Sequence, residues 1–226
     1  MLKRLNKICD WVLLRTIQAE EVSFGDGIAL CDIRKRGDSF RPTIETALGI
    51  IKQYDQRRYA RVTRYIHHVV NAVSNCGTQG QYFFETRVFN LEFRDGVPGF
   101  SDDALAAFYA CLLVHESTHG YLAHRNIKYC KENRARIERL CVAEQNRFAS
   151  KLAAADPERY PIDLLHVDFD ESDWHQYWNT GRLKSVLSLI WRTFTDKKAE
   201  PAAAPNGGPA ALSGNPGVSE GPPSVS

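Results

Sequence analysis

The segment that most constrains the fold is ALAAFYACLLVHESTHGYLAH, residues 104–124, because it is apolar on nearly every face yet carries His115, Glu116 and His119 in its second half. Ser101-Asp102-Asp103 precede it, supplying a capping oxygen and two carboxylates for the positive end of a helix. The pattern predicts a long core helix from about residue 101 to His124. Leu105, Phe108, Leu112, His115, His119 and Ala123 share one sector of the wheel. Two imidazoles and a carboxylate on a buried helix are costly unless they are paired or hold a metal. That cost makes the pentapeptide HESTH the leading chemical feature of the chain.

At about 100° per residue, His115 and His119 stand one turn apart on one face, where both can reach a single ion, and Glu116 lies close enough to act on a water there. Zinc suits this donor set: neutral imidazole is a good ligand, and catalytic sites combine three protein ligands with one open position. The third ligand has to come from elsewhere. A second helix, Glu132 to about Ala155, follows and is stopped by Asp156-Pro157. It offers Glu138 and Glu144. Taking Ile137, Leu140, Cys141, Phe148 and Leu152 as its apolar stripe places Glu144 about 20° from Ile137 and Glu138 about 100° away. Glu144 is therefore favoured as the third ligand, with Glu138 as the alternative.

HESTH followed on the next helix by a glutamate resembles the gluzincin metallopeptidases, and Glu144-Gln145-Asn146-Arg147-Phe148-Ala149 is similar to the EAxxFA-type segment of the compact ImmA/IrrE-like members. The resemblance covers about fifty residues, Asp102 to Leu152. It implies zinc ligands His115, His119 and Glu144, and Glu116 as general base. It also implies an α+β zincin-like fold with a small, mostly antiparallel sheet beside the two helices. Gln145 stands where that segment has alanine, and the other gluzincin spacing, eighteen residues between the second histidine and the glutamate, selects Glu138. His124 comes one residue too early for a metzincin, and Leu122 occupies the required glycine position. The implied activity is zinc-dependent hydrolysis of peptide or protein substrates, with Glu116 taking a proton from the attacking water and passing it to the leaving amine. Tyr121, Tyr129, Arg134, Arg136, His166 and His175 are all chemically able to steady the oxyanion. A catalytically inactive zincin-like binding or regulatory module is the alternative function.

The remaining chain sets the frame. Its 226 residues suit one domain, expected over residues 1–198 with an amphipathic N-terminal helix at Met1–Ile17. Pro42–Arg57 has helical spacing, Ile28–Ile33 reads as a short strand, and Arg61–Val73 fits strand or helix. Gln81–Arg94 is dense in strand formers and closes at Asp95-Gly96; a strand there could border the cleft and pair with extended substrate. His67 and His68 have no partner at ligand spacing. The acidic run from Asp168 to Asp173 lacks EF-hand spacing and reads as a solvated loop. Leu183–Phe194 reads as one more amphipathic helix that packs on the domain, or else offers a membrane-surface face or a face for a partner helix. From Ala199 to Ser226 the composition falls to Pro, Ala, Gly and Ser, and a disordered tail is expected.

With 29 basic and 27 acidic side chains, no net field favours nucleic acid. No secretory signal and no spanning segment is legible, so a soluble, cytoplasmic protein is expected. The six cysteines lack CxxC pairs and read as reduced thiols; Cys111 and Cys141 fall within helices as small hydrophobes.

Overall fold

The computed structural model describes residues 15, 21–23, 27–34, 39–72 and 80–169. Apart from Arg15, the expected N-terminal helix lies outside the described residues, as do the Leu183–Phe194 stretch, the tail from Ala199, His175 and most of the acidic run. The chain forms β1 (Glu21–Ser23), β2 (Ala29–Asp32), α1 (Phe40–Tyr54), α2 (Gln56–Tyr65), β3 (His68–Asn71), β4 (Gly80–Phe83) and β5 (Val88–Leu91). The helices α3 (Asp102–His124), α4 (Arg134–Ala155) and the short α5 (Ile162–Leu165) follow. This is the expected α+β class.

The five strands lie in the order β1-β2-β3-β5-β4. The sheet is mixed, not mostly antiparallel: β2–β3 and β3–β5 are parallel, while β1–β2 and β4–β5 are antiparallel. Connection lengths explain the correction. The α1–α2 pair carries the chain from β2 to β3 as a helical crossover, which returns it in the same direction. From β3 the chain passes to the edge and comes back through the β4–β5 hairpin, so β5 runs parallel to β3. All four residues of β5 are buried, as are Val69, Val70 and Asn71 of β3, the continuous burial typical of inner strands.

Two segments divide where side chains interrupt the pattern. Gln81–Arg94 is a hairpin rather than one strand. Phe83 pairs with Val88 around Phe84-Glu85-Thr86-Arg87, whose last residue takes φ of 54°. The Pro42–Arg57 helix ends at Tyr54 because Asp55 caps a new one: its carboxylate accepts from the Arg58 amide at 3.0 Å. The ambiguous Arg61–Val73 stretch resolves into the end of α2 and all of β3.

The predicted start of α3 is observed, with Ser101 Oγ accepting from the Ala104 amide at 3.2 Å. From Ala104 onward α3 is buried on almost every side and runs through the main core, against α1, α2, α4 and β4. Ser117 and Thr118 satisfy their buried hydroxyls on the Val114 carbonyl, at 3.0 and 2.8 Å. Gly120 is required by close packing. A Cβ there would stand 2.7 Å from Tyr65 Cβ and 2.8 Å from the Tyr82 hydroxyl, itself bonded to the Tyr65 carbonyl. These contacts lock the histidine-bearing turn of α3 against α2 and β4.

Candidate metal centre

His115, Glu116 and His119 all lie buried on α3, each 6% exposed. Their partner from α4 is Glu138, 3% exposed, whose Oε2 is 3.4 Å from Nε2 of His115 and 3.4 Å from Nε2 of His119. The two Nε2 atoms are 3.3 Å apart. Three donor atoms thus form a nearly equilateral triangle. Around a tetrahedral ion with bonds of about 2.0–2.1 Å, neighbouring donors are separated by about 3.3–3.4 Å, so the triangle has the size of one face of such a site.

Glu144 is not part of this group. It is half-buried and turned to α2, where Oε2 accepts from Arg58 at 3.2 Å and Arg61 at 3.0 Å, and Oε1 accepts from Arg147 at 2.5 Å. The expected ligand is one member of an interhelical ion network that also joins Asp55 to Arg58 and Lys151. The reason for the difference is Leu140, which is 42% exposed although it counts as apolar on the wheel. The face that α4 buries runs through Arg134, Ile137, Glu138, Cys141, Val142, Gln145, Phe148, Ala149 and Leu152. On that face Glu138 is about 30° from the centre and Glu144 about 90°.

The surroundings orient the triangle. Nδ1 of His115 lies 3.0 Å from Oε1 of the buried Gln145. An amide oxygen can only accept, so Nδ1 carries the proton, and in the neutral ring Nε2 turns its lone pair to Glu138 and His119. The Tyr129 hydroxyl donates to Oε1 of Glu138. Oε2 of Glu138, buried between two imidazoles, and Nδ1 of His119 have no hydrogen-bond partner among the described residues. A buried carboxylate oxygen left without a donor is the feature a bound cation would satisfy. Burial alone would raise the Glu138 carboxyl; with the two histidines in their protonated forms, their N–H groups and charge outweigh burial and hold it well below its ordinary range. Burial and the neighbouring Glu138 charge push the Tyr129 hydroxyl up, so it remains a donor.

Glu116 differs sharply from Glu138. Burial raises its carboxyl to about 7, with His115 opposing the rise and Glu138 adding to it. Its Oε1 comes close to the first residue of β4: an ideal Cβ on Gly80 would be 3.2 Å from that oxygen and 2.6 Å from Phe89. Glycine is what lets the edge strand approach the carboxylate so closely.

Cys141 also reaches the centre. Its thiol and one nitrogen from each of His115 and His119 lie within 4.8 Å of one another. The same residue packs with Leu122 and Ile137, the role its helical position predicts. Burial raises the thiol far above its ordinary value, and the charges of Glu138 and Glu116 raise it further. Among the described residues there is therefore one group of buried side chains able to bind a metal ion, with Cys141 and Glu138 as candidates beside the histidine pair.

The other residues named from the sequence stand apart. His124 is exposed at the end of α3, with its ring 5.8 Å from that of Tyr65. Tyr121 packs on Tyr65, Arg136 is exposed, and His166 lies 3.6 Å from Asp168 at the surface. His67 Nε2 contacts Arg87 at 3.0 Å. Gln145 and Cys141 reach the centre although the sequence assigns them no site role, and Tyr129, a candidate oxyanion donor from the sequence, instead binds Glu138; Gln145 marks itself only as a polar side chain on a buried helical face. No helix among the described residues is long and apolar enough to cross a membrane. Comparisons with protein-family models, curated proteins and solved structures gave no match to this chain.

Proposed function

We propose that this chain is a metal-dependent peptidase of the gluzincin type, in which His115, His119 and Glu138 hold a zinc-class ion and Glu116 is the general base. The observation that carries this reading is the 3.3–3.4 Å triangle of Nε2, Nε2 and Oε2, with an unsatisfied carboxylate oxygen at one corner. Three protein donors leave a fourth position open, the pattern of a catalytic rather than a structural site. An ion bound there supplies Lewis acidity, polarising a carbonyl and acidifying a water.

The chain's own residues divide the remaining work. Gln145 fixes the ring of His115, and Glu138 contributes negative charge without needing a proton. Glu116 accepts a proton from the attacking water and returns it to the leaving amine. β4 is the terminal strand of the sheet and begins at Gly80, beside Glu116. An extended peptide is the substrate class that can pair with such an edge.

Glu116→Gln tests the assignment. The variant should bind zinc as the wild type does and lose hydrolysis of a peptide library by about a hundredfold or more. Retained turnover would contradict it.

The position of Cys141 favours one second reading, a non-catalytic module whose ion is held by His115, His119 and Cys141. Cobalt(II) separates the two. Thiolate coordination gives intense near-ultraviolet charge-transfer absorption, and a His-His-Glu site gives none.

A further inference from the structure

The two histidines of the centre are oriented by different means. Gln145 fixes His115 through Nδ1, as outer hydrogen bonds usually fix a ligand imidazole. Nδ1 of His119 is buried with no such partner among the described residues. Its ring is held by aromatic edges instead: the Tyr129 centroid is 5.4 Å away at 81°, and the Phe84 centroid is 6.3 Å away at 90°. Phe84 in turn packs on Tyr129 at 6.0 Å.

Tyr129 also holds the third donor. Its hydroxyl donates to Oε1 of Glu138, and only Oε2 faces the imidazoles. A carboxylate with both oxygens free can bind an ion through either or both, and two-point binding would occupy the space a water or substrate needs. Tyr129 lies in the loop between α3 and α4, so it belongs to neither ligand helix, yet it touches a ligand from each.

We propose that Tyr129 is the positioning residue of the centre. Its hydroxyl restricts Glu138 to one-oxygen coordination, and its ring replaces the missing outer hydrogen bond of His119. This rests on the metal-site reading above, and it adds a specific consequence. The hydroxyl sets the coordination number and, by holding Glu138, part of the affinity, while the ring adds further affinity through His119.

The test compares the full-length wild type with Tyr129→Phe and Tyr129→Leu. Zinc affinity is read by competition with a chromophoric chelator, and coordination number by the visible absorption of the cobalt(II) forms. The Phe variant keeps the ring and should lose about tenfold in affinity, with weaker, five-coordinate cobalt absorption. The Leu variant should lose about tenfold more. A Phe variant that matches the wild type in both readouts overturns the proposal while leaving the metal site intact. A wild type that binds neither ion overturns the site reading itself. A measurement on the wild type covers a variant that fails to fold. With tyrosine labelled at Cζ, the Tyr129 hydroxyl proton should give a downfield, slowly exchanging NMR resonance that persists with zinc bound. Its absence in both forms would overturn the proposal.

Discussion

Nδ1 of His115 donates to Oε1 of Gln145 at 3.0 Å, across the packed faces of α3 and α4. This bond ties the orientation of a candidate ligand on one helix to a buried amide on the next. It requires the proton on Nδ1, and it explains why a polar residue occupies a position that is only 2% exposed.

Gln145→Leu should therefore lower zinc affinity by about tenfold to a hundredfold. Gln145→Glu, which keeps the acceptor, should recover most of it. Competition titrations on the two variants check both directions, and equal affinity in the Leu variant would remove Gln145 from the site.

Asp55 gives a pH dependence with a definite sign. Burial alone would raise its carboxyl, but the amide and guanidinium of Arg58 and the ammonium of Lys151 outweigh burial and hold it at about 2, below the ordinary 3.8. A carboxyl lowered in the folded state stabilises fully above the unfolded value, and that contribution disappears as pH falls from 3.8 toward 2. Allowing for solvent screening, about 1 kcal/mol should be lost across this window. Urea unfolding of wild type and Asp55→Asn should show a steeper acid dependence in the wild type.

Glu144 should matter for stability and not for the metal. Glu144→Gln removes the carboxylate that Arg58 and Arg61 share, with side chains 16% and 17% exposed, although Arg58 keeps Asp55. The expected loss is about 1–2 kcal/mol, read from chemical denaturation. An unchanged midpoint would show that the network contributes nothing net.

Gly120→Ala should cost about 1–3 kcal/mol, since the new methyl meets Tyr65 Cβ at 2.7 Å, an atom that moves only with its backbone. Thermal unfolding of the metal-free protein measures it without involving the ion.

Much of this arrangement is legible in the sequence where one short-range rule decides it. The Ser101 cap, the buried run of α3 and the stop at Asp156-Pro157 each depend on neighbours in the chain. The histidine pair with its adjacent glutamate is legible for the same reason: spacing on one helix fixes it. The third donor is not, because the face of α4 that is buried depends on which residues α3 and α2 cover. Leu140 looks apolar and is exposed; Gln145 looks polar and is buried; together they turn the stripe from Glu144 to Glu138. The parallel pairings of β3 are hidden likewise, since they follow from where the α1–α2 crossover and the β4–β5 hairpin return the chain.

The most direct measurement is the zinc content, by elemental analysis, of wild type, Glu138→Gln and Glu144→Gln purified without added metal. Wild type and the Glu144 variant should each hold about one zinc per chain, and the Glu138 variant little. Zinc retained by Glu138→Gln and lost by Glu144→Gln, or none in the wild type even after reconstitution, would contradict the assignment of Glu138.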